Sequence, residues 1–147
     1  MEYRENIIYE SLLKKRAFAA MIDYGVLFII AMVTVQLFGI ENPDGSRSVH
    51  DWHAWIPVVF WFILIPGLEA ELGYTLGKGL LDLKVVRERK KDSPFAVAFK
   101  RHIFDFFDFF FLGAIAIILI KSTDEHKRIG DFIAHSRVVL DKNDVPA

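Results

Sequence analysis

The apolar run between Lys14 and Ile40 constrains this chain more than any other feature. A basic cluster, Lys14-Lys15-Arg16, precedes more than twenty residues that contain a single charged side chain, Asp23. A run of this length and apolarity is typical of a helix that crosses a lipid bilayer. An acid inside such a helix is costly in hydrocarbon, so we expect Asp23 to have a partner elsewhere in the chain.

Two further stretches have the composition of membrane spans. We therefore predict an all-α integral membrane bundle with three transmembrane helices plus interfacial helices, in one domain over residues 1–147. The spans are predicted at about 17–38, 55–72 and 102–120, with a polar connection over 73–101 and a tail over 121–147. The first span lacks a small-residue cleavage pattern, so we expect a retained anchor.

Local signals in the second span and the connection add detail. The Pro66-Gly67 pair should kink or break the second span. The group from Leu80 to Val86 is compatible with an interfacial helix or a short strand, and its periodicity does not choose between them. The Ser93-Pro94 pair is typical of a helix start.

The composition excludes several functions. The net charge is −1, which argues against general nucleic-acid binding. The chain has no cysteine, so disulfides, thiolate catalysis and cysteine-based metal sites are ruled out. The sequence contains no recognisable nucleophile–base pair or metal-ligand set, so we expect neither an enzyme nor a cofactor nor a metal site.

The distribution of basic residues predicts an orientation. Lys and Arg number four before the first span, one in the following loop, eight in the connection with Arg101 included, and five in the tail. The excess of basic residues in cytoplasmic loops predicts a multi-pass membrane protein with a cytoplasmic N-terminus. Three spans would place the basic tail outside. Either that is tolerated or one segment is re-entrant, most plausibly the second span.

Acidic residues from all three spans are predicted to converge in the cytoplasmic half of the membrane. Arg16 and Asp23 are seven residues apart, as are Arg101 and Asp108, which places each pair on one helix face. In parallel spans, each Asp then lies about 10 Å deeper than its Arg. The predicted cluster contains Asp23, Glu69, Asp105, Asp108 and Arg101, with Glu71 as its weakest member.

The predicted cluster has two interpretations. Carboxylates outnumber arginines in it, and crowded carboxylates in a low dielectric favour a shared proton or cation. The cluster would then carry protons or monovalent cations, in a homo-oligomer, because three helices alone hardly enclose a path. Alternatively, the acids and Arg residues bridge helices or subunits of a non-catalytic scaffold that binds another membrane protein. Arg16 points away from Asp23 along its helix, towards lipid headgroups or an acid on another helix.

The segment from Gly73 to Gly79, GYTLGKG, superficially resembles a phosphate-binding loop. It has three residues between Gly73 and Gly77 where that loop has four, and it has Gly79 where Ser or Thr is required. We therefore predict a tight turn at the membrane, with Lys78 in contact with phosphate headgroups of the lipid bilayer.

The order and spacing of four short motifs resemble those of the RDD family of small multi-pass membrane proteins. The motifs are an Arg before and an Asp within the first span, a Gly-x-Thr-x-Gly-Lys element with a later Val-Val, an Ala-Phe-x-Arg element and an Arg-x-Gly-Asp element. In this sequence they are Arg16 with Asp23, Gly73 to Lys78 with Val85-Val86, Ala98 to Arg101, and Arg128 to Asp131. The likeness runs from about Lys15 to Leu140.

The resemblance implies that Arg16, Asp23 and Asp131 are the arginine and two aspartates that give the family its name. Some members are associated with cation/proton antiport, so the resemblance raises the transport interpretation modestly. The sequence departs from the family at Asp82, where members usually carry Gly. The resemblance therefore does not predict the backbone conformation of the turn before Leu83.

Overall fold

The fold combines two long apolar helical segments with a smaller unit that packs against one end of them. A computed structural model describes residues 2–89, 91–103 and 129–141. The helices within these ranges are α1 (Glu2–Phe38), α2 (Ile56–Phe62), α3 (Leu68–Leu72), α4 (Leu76–Leu80), α5 (Pro94–Ile103) and α6 (Ile129–Ile133). The strands are β1 (Ile40–Glu41), β2 (Arg47–Ser48), β3 (Leu83–Arg87) and β4 (Ser136–Leu140).

Helix α1 contains the first apolar segment. Its part from Ser11 to Phe38 has 28 residues and a mean hydropathy of 2.2. A helix rises about 1.5 Å per residue, so this part exceeds the ~30 Å hydrocarbon thickness of a bilayer. The polar residues before Ser11 continue the same helix, because neither Pro nor Gly interrupts them. This segment is therefore long enough to cross a membrane.

The second apolar segment is built from successive helical pieces. A 3₁₀ turn (Asp51–Trp55), helix α2, a π-turn (Ile63–Gly67) and helix α3 follow one another without a break. Together they form 22 residues with a mean hydropathy of 1.6, long enough to cross a membrane. Pro66 has no N–H and its ring clashes with the preceding turn, so the Leu68 N–H donates to the Ile63 carbonyl instead. The predicted disruption at Pro66-Gly67 is this π-turn, and the segment continues past it.

The smaller unit is organised around a two-stranded antiparallel sheet. Strands β3 and β4 pair with Leu83 opposite Leu140 and Arg87 opposite Ser136. Leu83 and Val138 are buried against Ala19 of α1, and together they form the apolar core of this unit. The sheet therefore fixes the tail against the N-terminal half of the first segment.

Helix α5 attaches the connection to the second segment. It begins at Pro94, as the Ser93-Pro94 pair predicts, and the Val97 N–H donates to the Ser93 carbonyl at 3.0 Å. The Phe99 ring stacks on the Phe62 ring with a centroid distance of 5.8 Å. This contact holds α5 alongside the middle of the second segment.

The β3–β4 sheet corrects the all-α prediction. The Leu80 to Val86 group, compatible with helix or strand, forms the end of α4 and most of β3, because Val85 and Val86 pair with Val138 and Arg137 of the tail. Sequence periodicity did not reveal this partner, since it lies far along the chain. Helices still form most of the described fold. Strands β1 and β2, of two residues each, form a second antiparallel pair.

The same pairing places the tail beside the connection. Strand β4 belongs to the tail and β3 to the connection, so both lie at one end of the two long segments. The predicted third span at 102–120 lies outside the described residues, apart from His102 and Ile103, which end α5.

Candidate functional site: a buried ion-pair network

Asp23 is held by the turn that precedes α4. Its side chain is buried, and its Oδ1 accepts a hydrogen bond from the Gly77 N–H at 2.7 Å. Its Oδ2 accepts one from the Thr75 hydroxyl at 2.5 Å. Thr75 is the N-cap of α4, and its Oγ1 accepts from the Lys78 N–H at 3.4 Å. Asp23 therefore satisfies backbone and cap groups that the start of a helix leaves without partners.

The Gly-x-Thr-x-Gly-Lys element has a physical reason at each glycine. Gly73 ends α3 in the left-handed conformation, with φ of 82°, which side chains disfavour. A Cβ on Gly77 would lie 2.1 Å from the Ala19 carbonyl oxygen, so only glycine lets α4 approach α1 this closely. The element is thus a turn that docks α4 against the first segment.

Arg16 forms an ion pair with Asp131. The guanidinium Nη2 contacts Asp131 Oδ2, and both residues are buried, at 8% and 2% exposure. Arg16 lies on α1 and Asp131 lies on α6, so the pair joins the first segment to the tail. Of the two partners considered for Arg16, lipid headgroups and an acid on another helix, the structure shows the acid.

Arg101 links Asp131 to Glu69. Its Nη2 lies 2.8 Å from Asp131 Oδ1, and its Nη1 lies 3.4 Å from Glu69 Oε1. Arg101 stands in the last turn of α5 and is 5% exposed. A buried guanidinium can bridge two carboxylates because its donors lie in a fixed plane.

Glu69 ends the network on α3. Its Oε2 contacts Lys78 Nζ and lies 3.1 Å from His102 Nε2. The Glu69 side chain is 2% exposed, so these contacts replace water around a charged group. Because Lys78 belongs to α4 and His102 to α5, Glu69 joins both of these helices to α3, the last part of the second apolar segment.

Acids and cations are balanced in this network. In the described part of the chain, Glu69 and Asp131 contact the three cations Arg16, Lys78 and Arg101, and His102 adds one neutral or positive group. Asp23 accepts instead from the Thr75 hydroxyl and the Gly77 N–H. The expected excess of carboxylates is therefore not seen among these residues. Within the same ranges, no group of three or more His, Cys, Asp or Glu side chains is placed to hold a metal ion.

The structure separates some of the predicted cluster and joins the rest. Glu69 and Arg101 are in contact. Asp23, on α1, instead accepts hydrogen bonds from the Thr75–Gly77 turn, which leads directly to Lys78. Asp105 and Asp108 lie outside the described residues. Asp131 enters the network, and only the family resemblance indicated it.

Lys78 differs from its predicted role. Its ammonium contacts Glu69 and its side chain is 13% exposed, so it does not reach for lipid headgroups. The spacing from Thr75 indicates that Lys78 lies in the first turn of α4, but it does not indicate the contact with Glu69. His102 carried no comparable signal.

A comparison with protein families decides the identity. The family model described as "RDD family" matches residues 11–135, which includes every member of the network. The chain belongs to the RDD family. Searches of curated proteins and of solved structures each found no match to it. Family membership and two apolar segments of sufficient length together indicate a membrane protein.

The three RDD residues are buried where α1 meets α4 and α6. Arg16 and Asp131 pair with each other, and Asp23 secures the α4 turn to the same helix that carries Arg16. Asp82, where the family usually has Gly, adopts φ of 57°. The turn before Leu83 thus has the left-handed conformation that glycine favours, and Asp tolerates it better than most residues.

Proposed function

We propose that this RDD protein is a non-catalytic membrane scaffold, in which buried acid–Arg contacts hold two spans and a cap of short elements in one arrangement for a partner. The carrying observation is the balanced network, in which each described buried acid contacts at least two donor groups of the same chain. A network with this charge balance gives conformational specificity and leaves little affinity for a further cation. The partner is a second copy or another membrane protein.

The scaffold is proposed to sit in the cell inner membrane with its N-terminus, connection and tail in the cytoplasm. Support comes from the β3–β4 pairing, which joins the tail to the connection, and from the single Lys or Arg, Arg47, between the two spans. A reporter fused after Ala147 should therefore report the cytoplasm, and one inserted at Gly45 the opposite side. The reverse pattern contradicts this orientation.

An alternative function is transport of protons or monovalent cations. It is favoured by Glu69 Oε1, which accepts no hydrogen bond from the described residues, and by the cavity of about 210 Å³ that Glu69 lines. An acid that lines a cavity could exchange a proton with water. The paired state of Asp23 and Asp131 argues for the scaffold over this alternative.

One pair of measurements on the same preparations separates the two functions. Asp23→Asn removes a charge that accepts two hydrogen bonds. The scaffold therefore predicts that the free energy of unfolding in detergent falls by about 1–3 kcal/mol, with a lower melting temperature. The matched control is Thr34→Val, because the Thr34 hydroxyl donates only within its own helix, to Ile30. Unchanged stability and oligomer size in Asp23→Asn would refute the scaffold.

Liposomes with an internal pH dye provide the second measurement. The scaffold predicts no cation-dependent pH change with the wild-type protein. Transport predicts a flux that falls in Asp23→Asn. A wild-type flux that the substitution abolishes, without loss of stability, would establish the alternative.

A further inference from the structure

A polar cavity and an apolar groove adjoin each other beside α3. The cavity, of about 210 Å³, lies between α3, β3 and the start of α5. The groove, of about 580 Å³, lies between the π-turn of the second span and the same start of α5. Ala70, Glu71 and Pro94 line both spaces, so a molecule with a polar and an apolar part can occupy them together.

The cavity carries both signs of charge on different elements. Helix α3 contributes Glu69 and Glu71, and strand β3 contributes Lys84 and Arg87. Glu69 is 4% exposed, and its Oε1 lies 3.4 Å from Arg101 Nη1 in an ion pair but accepts no hydrogen bond from the part of the chain that the structure describes. A buried oxygen in this state is stabilised by a ligand that donates an N–H or O–H to it.

The two basic side chains retain capacity for an anion. Lys84 Nζ lies 3.8 Å from Asp141 Oδ2, and its side chain is 46% exposed, so this pair is weak. Arg87 is exposed and donates from Nη1 to the Asp92 carbonyl at 3.1 Å. A guanidinium has five N–H donors, which leaves Arg87 able to bind a phosphate oxygen.

The groove has the surface of an acyl-chain site. Phe62, Ile63 and Phe95 line it with exposures of 40%, 55% and 46%. Phe62 and Ile63 belong to the second span, so this surface faces hydrocarbon when the protein is in a membrane. Large apolar side chains with this exposure favour contact with a lipid tail.

We propose that the cavity and groove bind one phospholipid with an ethanolamine headgroup. The phosphate contacts Lys84 and Arg87, the ammonium contacts Glu71 and donates to Glu69 Oε1, and one acyl chain lies in the groove. A glycerol headgroup lacks the cation. A choline headgroup has the cation but no N–H for Glu69. This site is independent of whether the protein is a scaffold or a transporter.

Native mass spectrometry of the full-length protein in detergent tests the site. The probes are phosphatidylethanolamine, phosphatidylglycerol and phosphatidylcholine with identical acyl chains, and soluble glycerophosphoethanolamine. We expect phosphatidylethanolamine to bind at least about tenfold more tightly than the other two lipids, the ratio that one charge-assisted contact provides. The soluble headgroup should not bind at the same concentrations. Equal binding of the three lipids overturns the proposal, as does a soluble headgroup that binds as tightly as the lipid.

Variants locate the binding. Glu71→Gln should reduce the preference for phosphatidylethanolamine and leave phosphatidylglycerol binding unchanged, because only the ammonium loses one of its two partners. Lys84→Ala with Arg87→Ala should weaken both lipids about tenfold. Lys100→Gln is a matched control, because it removes a positive charge outside the two spaces, and it should bind as wild type. A Glu71→Gln protein that keeps the full preference contradicts the assignment.

Discussion

The two ends of the paired spans are held by different chemistry. At one end, which we call the charged end, Arg16, Asp23, Glu69, Arg101 and Asp131 are buried and paired across elements. At the other, the loop end, large apolar side chains are exposed, including Phe28, Ile29 and Leu37 at 66%, 61% and 70%. The buried polar residue there, Thr34, donates to Ile30 of its own helix.

This difference assigns separate tasks to the two ends. Apolar side chains at the loop end lose nothing by facing lipid, so they anchor the protein without fixing how its helices are arranged. Buried charges must meet partners of the right sign and geometry, so the charged end specifies one arrangement. Substitutions at the charged end should therefore be costly, and similar substitutions at the loop end should be mild.

The largest expected effect is that of Asp131→Ala. It leaves Arg16 and Arg101 without a shared acid in a buried site, and breaking a buried ion pair costs about 3–5 kcal/mol of unfolding free energy. Thermal unfolding in detergent measures it, with Asp131→Asn as a milder variant of the same size. The counterpart is Asp44→Ala in the exposed turn at the loop end, which should leave the melting temperature unchanged. Equal effects at the two ends would contradict the division.

Gly77→Ala should have an intermediate effect. Its new Cβ would meet the Ala19 carbonyl oxygen at 2.1 Å, so α4 must move away from α1, at a cost of about 1–3 kcal/mol. Gly25→Ala is its matched control on α1, because a Cβ there has nothing within 4 Å. That control should be neutral or stabilising by up to about 1 kcal/mol, since Ala favours helix. Chemical unfolding of both variants gives the comparison. A stability loss of the same size in Gly25→Ala would contradict the close approach at Gly77.

The smallest expected effect is that of Asp82→Gly. Asp82 has φ of 57°, and glycine removes the steric cost of that conformation, with a gain of at most about 1 kcal/mol after its greater unfolded-state entropy is subtracted. Asp51 at the loop end has φ of 58°, which makes Asp51→Gly the counterpart. If the charged end controls unfolding, only Asp82→Gly raises the melting temperature. A larger gain from Asp51→Gly would favour the loop end.

The sequence predicted those features of the fold that depend only on residues close together in the chain. The apolar run after Lys15, the disruption at Pro66-Gly67 and the helix start at Ser93-Pro94 each depend on nearby residues. The β3–β4 sheet and the Arg16–Asp131 pair do not, since their partners are far apart in the chain. Helix periodicity placed Arg16 and Asp23 on one face but gave no information about which acid or turn would meet them.

The predicted carboxylate cluster shows the same limit. The predicted depth of Asp23 and Glu69 in the membrane was the same, which suggested one shared cluster. In the structure Asp23 accepts from the turn before α4, whereas Glu69 contacts Lys78 of α4 and Arg101 of α5. The glycine-rich turn around Lys78 led to the prediction that this side chain contacts phosphate headgroups. In the structure the Lys78 backbone N–H is capped by Thr75, and its ammonium contacts Glu69 on α3.

A double-mutant cycle between Arg16 and Asp131 tests the central claim most directly. The free energies of unfolding of Arg16→Met, Asp131→Leu and the double variant are compared with that of the wild type in detergent. If the pair holds the tail to the first span, the double variant is more stable than the sum of the single losses predicts, by about 1–3 kcal/mol. Additive losses would contradict the account, because they would mean that the two charges do not stabilise each other.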